Sequence, residues 1–343
     1  MIPPAAALQT TVYRDRSGFD LLRAEWNALL VRSNFNSIFL TWEWQTTWWE
    51  CLGAGELYLV TFRTTDGELV GIAPLFLTCD AAGCELHLVG CTEVADYLDI
   101  IVAQGHEPEV FSGFLHFLRG PEAPAWDSIT LCNLYEPSPT YRLLPAMAEA
   151  IGWQTEVGQE DVAPYLLLPP TFDAYLDTLD KKQRHELRRK RSKLEREAGS
   201  WRWFQIEGGD DLERWVDRFV ALHRRASADK DSFMTPVMVA FFQRIARAAS
   251  ARGWLRLAFI EIDGELASAY FDFDFAARIW VYNSGFDPNV HGPLSPGIVL
   301  NSLLIEHAIQ NGHHVFDFLQ GNEIYKYRLG AVDARVMRVT VRR

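Results

Sequence analysis

The chain has 343 residues, 48% hydrophobic and 23% charged, a globular composition with length enough for two domains. It contains no uninterrupted apolar run of the length a membrane-spanning helix needs, and Met1-Ile-Pro-Pro-Ala-Ala-Ala-Leu8 lacks the basic region and apolar core of a signal peptide. Residues 1–165 carry seven arginines, no lysine and 22 acidic side chains, whereas 166–343 carry 26 basic and 23 acidic ones; an acidic first half argues against general duplex DNA binding.

All five cysteines (Cys51, Cys79, Cys84, Cys91, Cys132) lie in the first 132 residues, with no Cys-x-x-Cys and an odd count. We expect buried, reduced thiols in a cytoplasmic protein and no zinc site.

In chain order, the spacing predicts a helix near Phe19–Val31 and an aromatic helix near Trp42–Cys51. The group Phe39, Trp42, Trp44, Trp48 and Trp49 reads as a buried cluster rather than a binding surface. A strand, an Asp-Gly turn and a second strand follow over Leu57–Leu77, then strands near Glu85–Val89 and Leu98–Val102. A helix spans roughly Glu107–Arg119, with a strand at Ser128–Cys132 and a helix at Tyr141–Ile151. After Pro169-Pro170 come helices near Phe172–Thr178, Lys181–Ala198, Leu212–Ser227 and Val237–Ala249.

The next segment repeats an earlier one. Leu57-Tyr-Leu-Val-Thr-Phe-Arg-Thr-Thr-Asp-Gly-Glu-Leu69 aligns with Trp254-Leu-Arg-Leu-Ala-Phe-Ile-Glu-Ile-Asp-Gly-Glu-Leu266. The offset, about half the chain, suggests two domains of one kind. The fold class expected is α/β (α+β), with two tandem domains over 1–165 and 166–343. Each would be a mixed, largely antiparallel sheet flanked by helices.

A strand at Ile279–Ser284, a helix at Pro296–Gln310 and a strand at Val315–Leu319 complete the second copy. Ser295 suits an N-cap whose hydroxyl accepts from a helix-start amide, Pro296 the first helical position, and Gly297 a close approach of ligand to backbone. Such a helix start can hold a pyrophosphate. Period-two alternation places Trp280, Tyr282 and Ser284 on one face, with Asp272 and Asp274 at the end of the preceding strand.

Asp317 lies mid-strand, either as a proton-handling group or as an acid satisfied by backbone or arginine. Lys326, beside Tyr325, either stabilises developing negative charge or is a surface cation. The first copy has only the acidic loop Ala103–Glu109 at the corresponding place, which would repel phosphate. The basic helix, with Arg184, Arg188 and Arg191 on one face and Leu187 and Leu194 on another, either meets phosphates or is a solvated face.

Tyr282-Asn-Ser-Gly-Phe-Asp-Pro288, Ser295-Pro-Gly297, Phe316-Asp-Phe-Leu319, Gly321-Asn-Glu323 and Tyr325-Lys326 resemble the Gcn5-related N-acetyltransferase superfamily. More narrowly they resemble its FemAB-like tandem branch, which includes CelD-like proteins associated with cellulose biosynthesis. Gln320 and Asn322 stand where that branch often has Arg and Asp. Asn289–Gly297 departs from the usual Gln/Arg-x-x-Gly-x-Gly/Ala loop.

The resemblance implies an acyl-CoA-dependent N-acyltransferase with acetyl-CoA or another acyl-CoA as co-substrate and no metal. His291, Gly292, Ser295 and Gly297 would hold the donor, and Asp317, Tyr282, Lys326 and Tyr325 would carry the chemistry. The first domain would be a degenerate copy. The acceptor would be an amine of a small molecule, a sugar or a cell-envelope precursor, in a setting such as exopolysaccharide synthesis. Tyr325-Lys-Tyr-Arg-Leu-Gly330 is similar to a segment of relatives that use aminoacyl-tRNA, which leaves tRNA as an alternative donor. A non-catalytic, ligand-binding member is a further alternative.

Overall fold

The computed structural model describes residues 8–91 and 94–343. The expectation about a leader falls on residues 1–7 and so lies outside the described residues. The chain divides into two units, residues 1–161 with 335–343, and residues 162–334.

The first unit contains β1 (Gln9–Tyr13), α1 (Ser17–Val31), α2 (Trp42–Leu52), β2 (Glu56–Arg63), β3 (Leu69–Asp80), β4 (Gly83–Leu88), β5 (Ile101–Val102), α3 (Glu107–Arg119), β6 (Ser128–Tyr135) and α4 (Pro139–Glu149). Strands β1, β2, β3 and β4 pair antiparallel in sequence order, and β6 joins β4 in parallel. Phe39, Trp44 and Trp48 are buried, as large aromatics in a core should be.

The second unit takes over within β7 (Gln154–Leu167) and continues with α5 (Phe172–Thr178), α6 (Lys181–Glu197), β8 (Trp201–Ile206), α7 (Leu212–Ala226), α8 (Ala228–Phe233), α9 (Pro236–Ala251), β9 (Leu255–Ile262), β10 (Glu265–Phe275), β11 (Arg278–Phe286), α10 (Pro296–Gln310), β12 (Val315–Asp317) and α11 (Ile324–Arg328). Its sheet runs β7-β12-β11-β10-β9-β8, antiparallel except for β11 with β12. Helices α7 and α9 cover one face, where Phe219 and Phe242 pack on Phe271 of β10. Helices α5, α6 and α10 cover the other, sharing a core with Tyr270, Ile279 and Val281. The chain is thus mixed α/β, built on mixed sheets.

Three expectations need correction. Residues 335–343, assigned to the second domain, pack with the first, because β13 (Val332–Arg342) pairs antiparallel with β6 from Val336 to Arg342. The thiols are not all reduced: Cys79–Cys84 and Cys91–Cys132 are disulfides. Cys79 and Cys84 face each other across the β3–β4 hairpin, a register that counting residues does not reveal. Ser284 does not share the face of Trp280 and Tyr282. A bulge opposes Asp272 with Val281 and Phe271 with Asn283, so Ser284 pairs with Tyr270 and alternation restarts.

Candidate active site

Strands β11 and β12 pair over Arg278–Trp280 and Val315–Asp317, whereas β11 runs on to Phe286. The chain then loops back into α10. His291 (φ 50°) and Ser295 (φ 55°) are left-handed, uncommon for residues other than glycine, and they bracket a 3-10 turn at Gly292–Leu294. Pro296 occupies the first helical position, as expected. Ser295 stands at the N-cap but its side chain does not cap. Its hydroxyl instead accepts from the Lys190 ammonium at 2.8 Å. Lys193 of the same helix donates to the Pro293 carbonyl at 3.0 Å. Helix α6 therefore brings two cations against a helix N-terminus, where the peptide dipoles already favour an anion.

The fold itself does not require the loop glycines. A Cβ at Gly292 would meet nothing within 4 Å, and one at Gly297 only the Ser268 hydroxyl at 3.5 Å. A cavity of about 470 Å³ lies beside this helix start, lined among others by Leu187, Lys190, Ile298, Tyr325 and Arg328. Its wall joins apolar surface to cations. Tyr270 donates from its hydroxyl to the Gly297 carbonyl at 3.3 Å and accepts from Asn301 at 3.0 Å. Burial, with the negative fields of Tyr270, Glu323 and Asp272, pushes the Tyr325 phenol well above its ordinary value, so it stays protonated.

Asp317 and Lys326 act on the turn that leads to Tyr325. Asp317 is buried, 2.7 Å from the Arg278 guanidinium, and accepts from the Leu319 amide at 2.9 Å. Lys326, 2% exposed, donates to the carbonyls of Leu319, Gln320 and Gly321 at 3.1, 2.7 and 3.0 Å and pairs with Glu323 at 2.9 Å. Three donors thus meet four acceptors, and the ammonium is committed to the backbone of a turn that includes the left-handed Leu319 (φ 59°).

Tyr282 lies on the other face of the sheet, stacked on Phe242 at 5.6 Å between ring centres. Beside it, Asn283 bonds the buried His223 imidazole at 3.0 Å. Burial and the Lys230 charge push His223 down to about 4, so it is neutral near pH 7. The structure thus gathers Gly292, Ser295, Gly297 and Tyr325 on one face and sets Tyr282 on the opposite one, with His291 in the connecting loop.

Sequence reasoning passed over Lys190, Lys193, Tyr270 and His223. Only Tyr270 carried a readable signal, the alternation of Ser268, Tyr270, Asp272 and Asp274 along β10. In the basic helix, Arg184 pairs with Asp177 and Arg191 with Glu306. Among the described residues no group of three or more His, Cys, Asp or Glu could hold a metal ion, and no helix is long and apolar enough to cross a membrane.

Residues 181–327 match the family model described as "Acetyltransferase (GNAT) domain". No curated protein sequence matches the chain. Among solved structures, FemX superposes with a TM-score of 0.67 at 11% identity, over 92% of this chain and 95% of that one. A conserved protein of unknown function from Bacteroides thetaiotaomicron VPI-5482 gives 0.59 at 9% identity, over 97% and 100%. L-PGS from Bacillus licheniformis gives 0.54 at 11% identity, over 95% and 91%. Residues 181–327 thus match a GNAT-type acetyltransferase domain, in a chain that has the fold of FemX.

Proposed function

We propose that this GNAT-type domain is an acyl-CoA-dependent N-acyltransferase acting on an amine of a small molecule, a sugar or a cell-envelope precursor. One observation carries the reading: the cavity between Lys190 and Tyr325 adjoins a helix start whose two nearby glycines leave room for a ligand. When bound, the acyl-CoA supplies an acyl group activated as a thioester. The amides around Gly292–Gly297, reinforced by Lys190 and Lys193, would hold its pyrophosphate, with His291 and Ser295 setting the loop's course. Tyr325, kept protonated by burial, is assigned the proton delivered to the departing sulfur. The acceptor amine is assigned to the Tyr282 face, reaching the thioester where β11 leaves β12 beyond Trp280, with Tyr282 handling its proton. Lys326 and Asp317 position the turn that carries Tyr325. An acyl-CoA donor implies a cytoplasmic location.

The test is thermal stability with acetyl-CoA, longer acyl-CoAs and free CoA. A ligand that binds only the folded protein adds about 2.7 kcal/mol at a hundredfold excess over Kd. A shift lost in Gly297→Leu supports the reading. No shift with any CoA species moves the assignment to aminoacyl-tRNA. That second reading is favoured by Lys182, an exposed cation of α6 that borders the same cavity. Its mark is tRNA affinity that falls steeply with salt and on replacing Lys182 and Arg188.

A further inference from the structure

The same helix has a second cavity at its other end. It measures about 420 Å³ and is lined by Leu304, His307, Ala308 and Asn311 of α10 together with Gln205, Glu207, Arg256, Asp272, Asp274, Ile279 and His313. Its volume is that of a small-molecule site. The donor cavity adjoins the N-terminal end of α10 and this one the C-terminal end, where the helix dipole favours positive charge.

The charges inside are unevenly settled. His313 lies 2.9 Å from Asp274, and so does Arg256, which is also 3.8 Å from Glu207. Arg256 stands directly across the sheet from Asp272, yet its guanidinium goes to Asp274 and to the carbonyls of Gly253 and Leu255. Asp272 is 1% exposed, and apart from the pull of the Tyr282 amide neither carboxyl oxygen has a hydrogen-bond partner. A buried carboxyl with no side-chain or charged partner costs free energy unless something fills that role.

We propose that this cavity is a second ligand site, taking a small monocation whose ammonium group sits on Asp272. A single positive charge offsets the one acid that the cavity leaves unpaired. The neighbouring side chains, Gln205, Asn311 and His307, offer polar contacts for hydroxyl groups on the same ligand. The assignment does not depend on the acyl-CoA reading.

In the free protein, burial raises the Asp272 carboxyl well above its usual range, against an opposing pull from the Tyr282 amide. The groups facing it are Arg256 from β9, Glu207 at the end of β8, His307 from α10, His313 before β12, Asp274 and Tyr270 on its own strand, and Tyr325. An ammonium on Asp272 favours the ionised carboxyl, so its binding releases protons and amine affinity rises with pH through the range in which the acid titrates.

The experiment is calorimetric titration of the full chain with ethanolamine and glucosamine, and with glycerol and glucose as uncharged counterparts. The amines should bind at least about tenfold more tightly than the counterparts. In wild type the heat should vary with the ionisation enthalpy of the buffer, reporting net proton release on binding. Asp272→Asn keeps the shape but cannot ionise and should lose that amine site. Equal binding of amines and counterparts, no buffer dependence, or amine binding unchanged in Asp272→Asn overturns the proposal. The wild-type proton release decides the matter even if the variant fails to fold.

Discussion

The ammonium of Lys326 lies 2.7 Å from the carbonyl oxygen of Gln320, six residues earlier in the chain. With the Leu319 and Gly321 carbonyls and Glu323 around it, this lysine is a buried cation fully used by its own turn. Lys326→Met should leave those acceptors unpaired and cost about 3–5 kcal/mol of stability. Urea denaturation reads it directly. A variant as stable as wild type but slow in turnover would return Lys326 to the chemistry.

Tyr325→Phe removes a hydroxyl and little else. Its kcat should fall by about 10²–10⁴, with acyl-CoA affinity and melting temperature nearly unchanged. CoA thiol release over a panel of amines measures the first and thermal shift the others. An equal loss of affinity would make Tyr325 a binding group.

Asp99 offers a pH signature in the first unit. Burial raises its carboxyl from 3.8 to about 6, opposed by hydrogen bonds from Ser138 and Thr140 and by the Ile100 amide. The fold thus prefers the protonated acid. Its contribution is full below about pH 4 and is lost as pH rises through 6, on the order of 3 kcal/mol. Chemical denaturation from pH 4 to 7 should show this decline in wild type and a flatter profile in Asp99→Asn.

Gly285 of β11 lies against the backbone of α7. A Cβ there would lie 2.4 Å from the His223 amide nitrogen and 2.7 Å from the Leu222 carbonyl carbon, both backbone. Gly285→Ala should therefore cost about 2–3 kcal/mol, since neither element can yield alone. An unchanged urea midpoint would mean that the contact is looser than it looks.

Much of this was legible in the residues. Helices α3 and α10 begin and end where their apolar spacing places them, at Glu107–Arg119 and Pro296–Gln310. The paired Asp-Gly hairpins are present too, although Asp66-Gly67 sits in a longer loop and Asp263-Gly264 in a two-residue turn. Strands β1, β7, β8 and β13 escaped notice. In β13 the pattern Val-Asp-Ala-Arg-Val-Met-Arg mixes small, charged and apolar residues, and pairing with β6 rather than local preference makes it a strand. Side-chain roles were harder to read. Nothing in Ser295-Pro-Gly297 announces a left-handed serine, or that its hydroxyl meets Lys190, more than a hundred positions away. The bulge opposite Asp272 is likewise a property of two strands and is invisible in either alone.

The return of β13 to the first unit bears on how the protein is made. The first unit's residues up to Asp161 emerge from the ribosome first, yet β6 must wait for Val336–Arg342 before its ladder is complete. All of residues 162–334 are synthesised in between and can fold while that edge stands open. The half translated first is thus finished last.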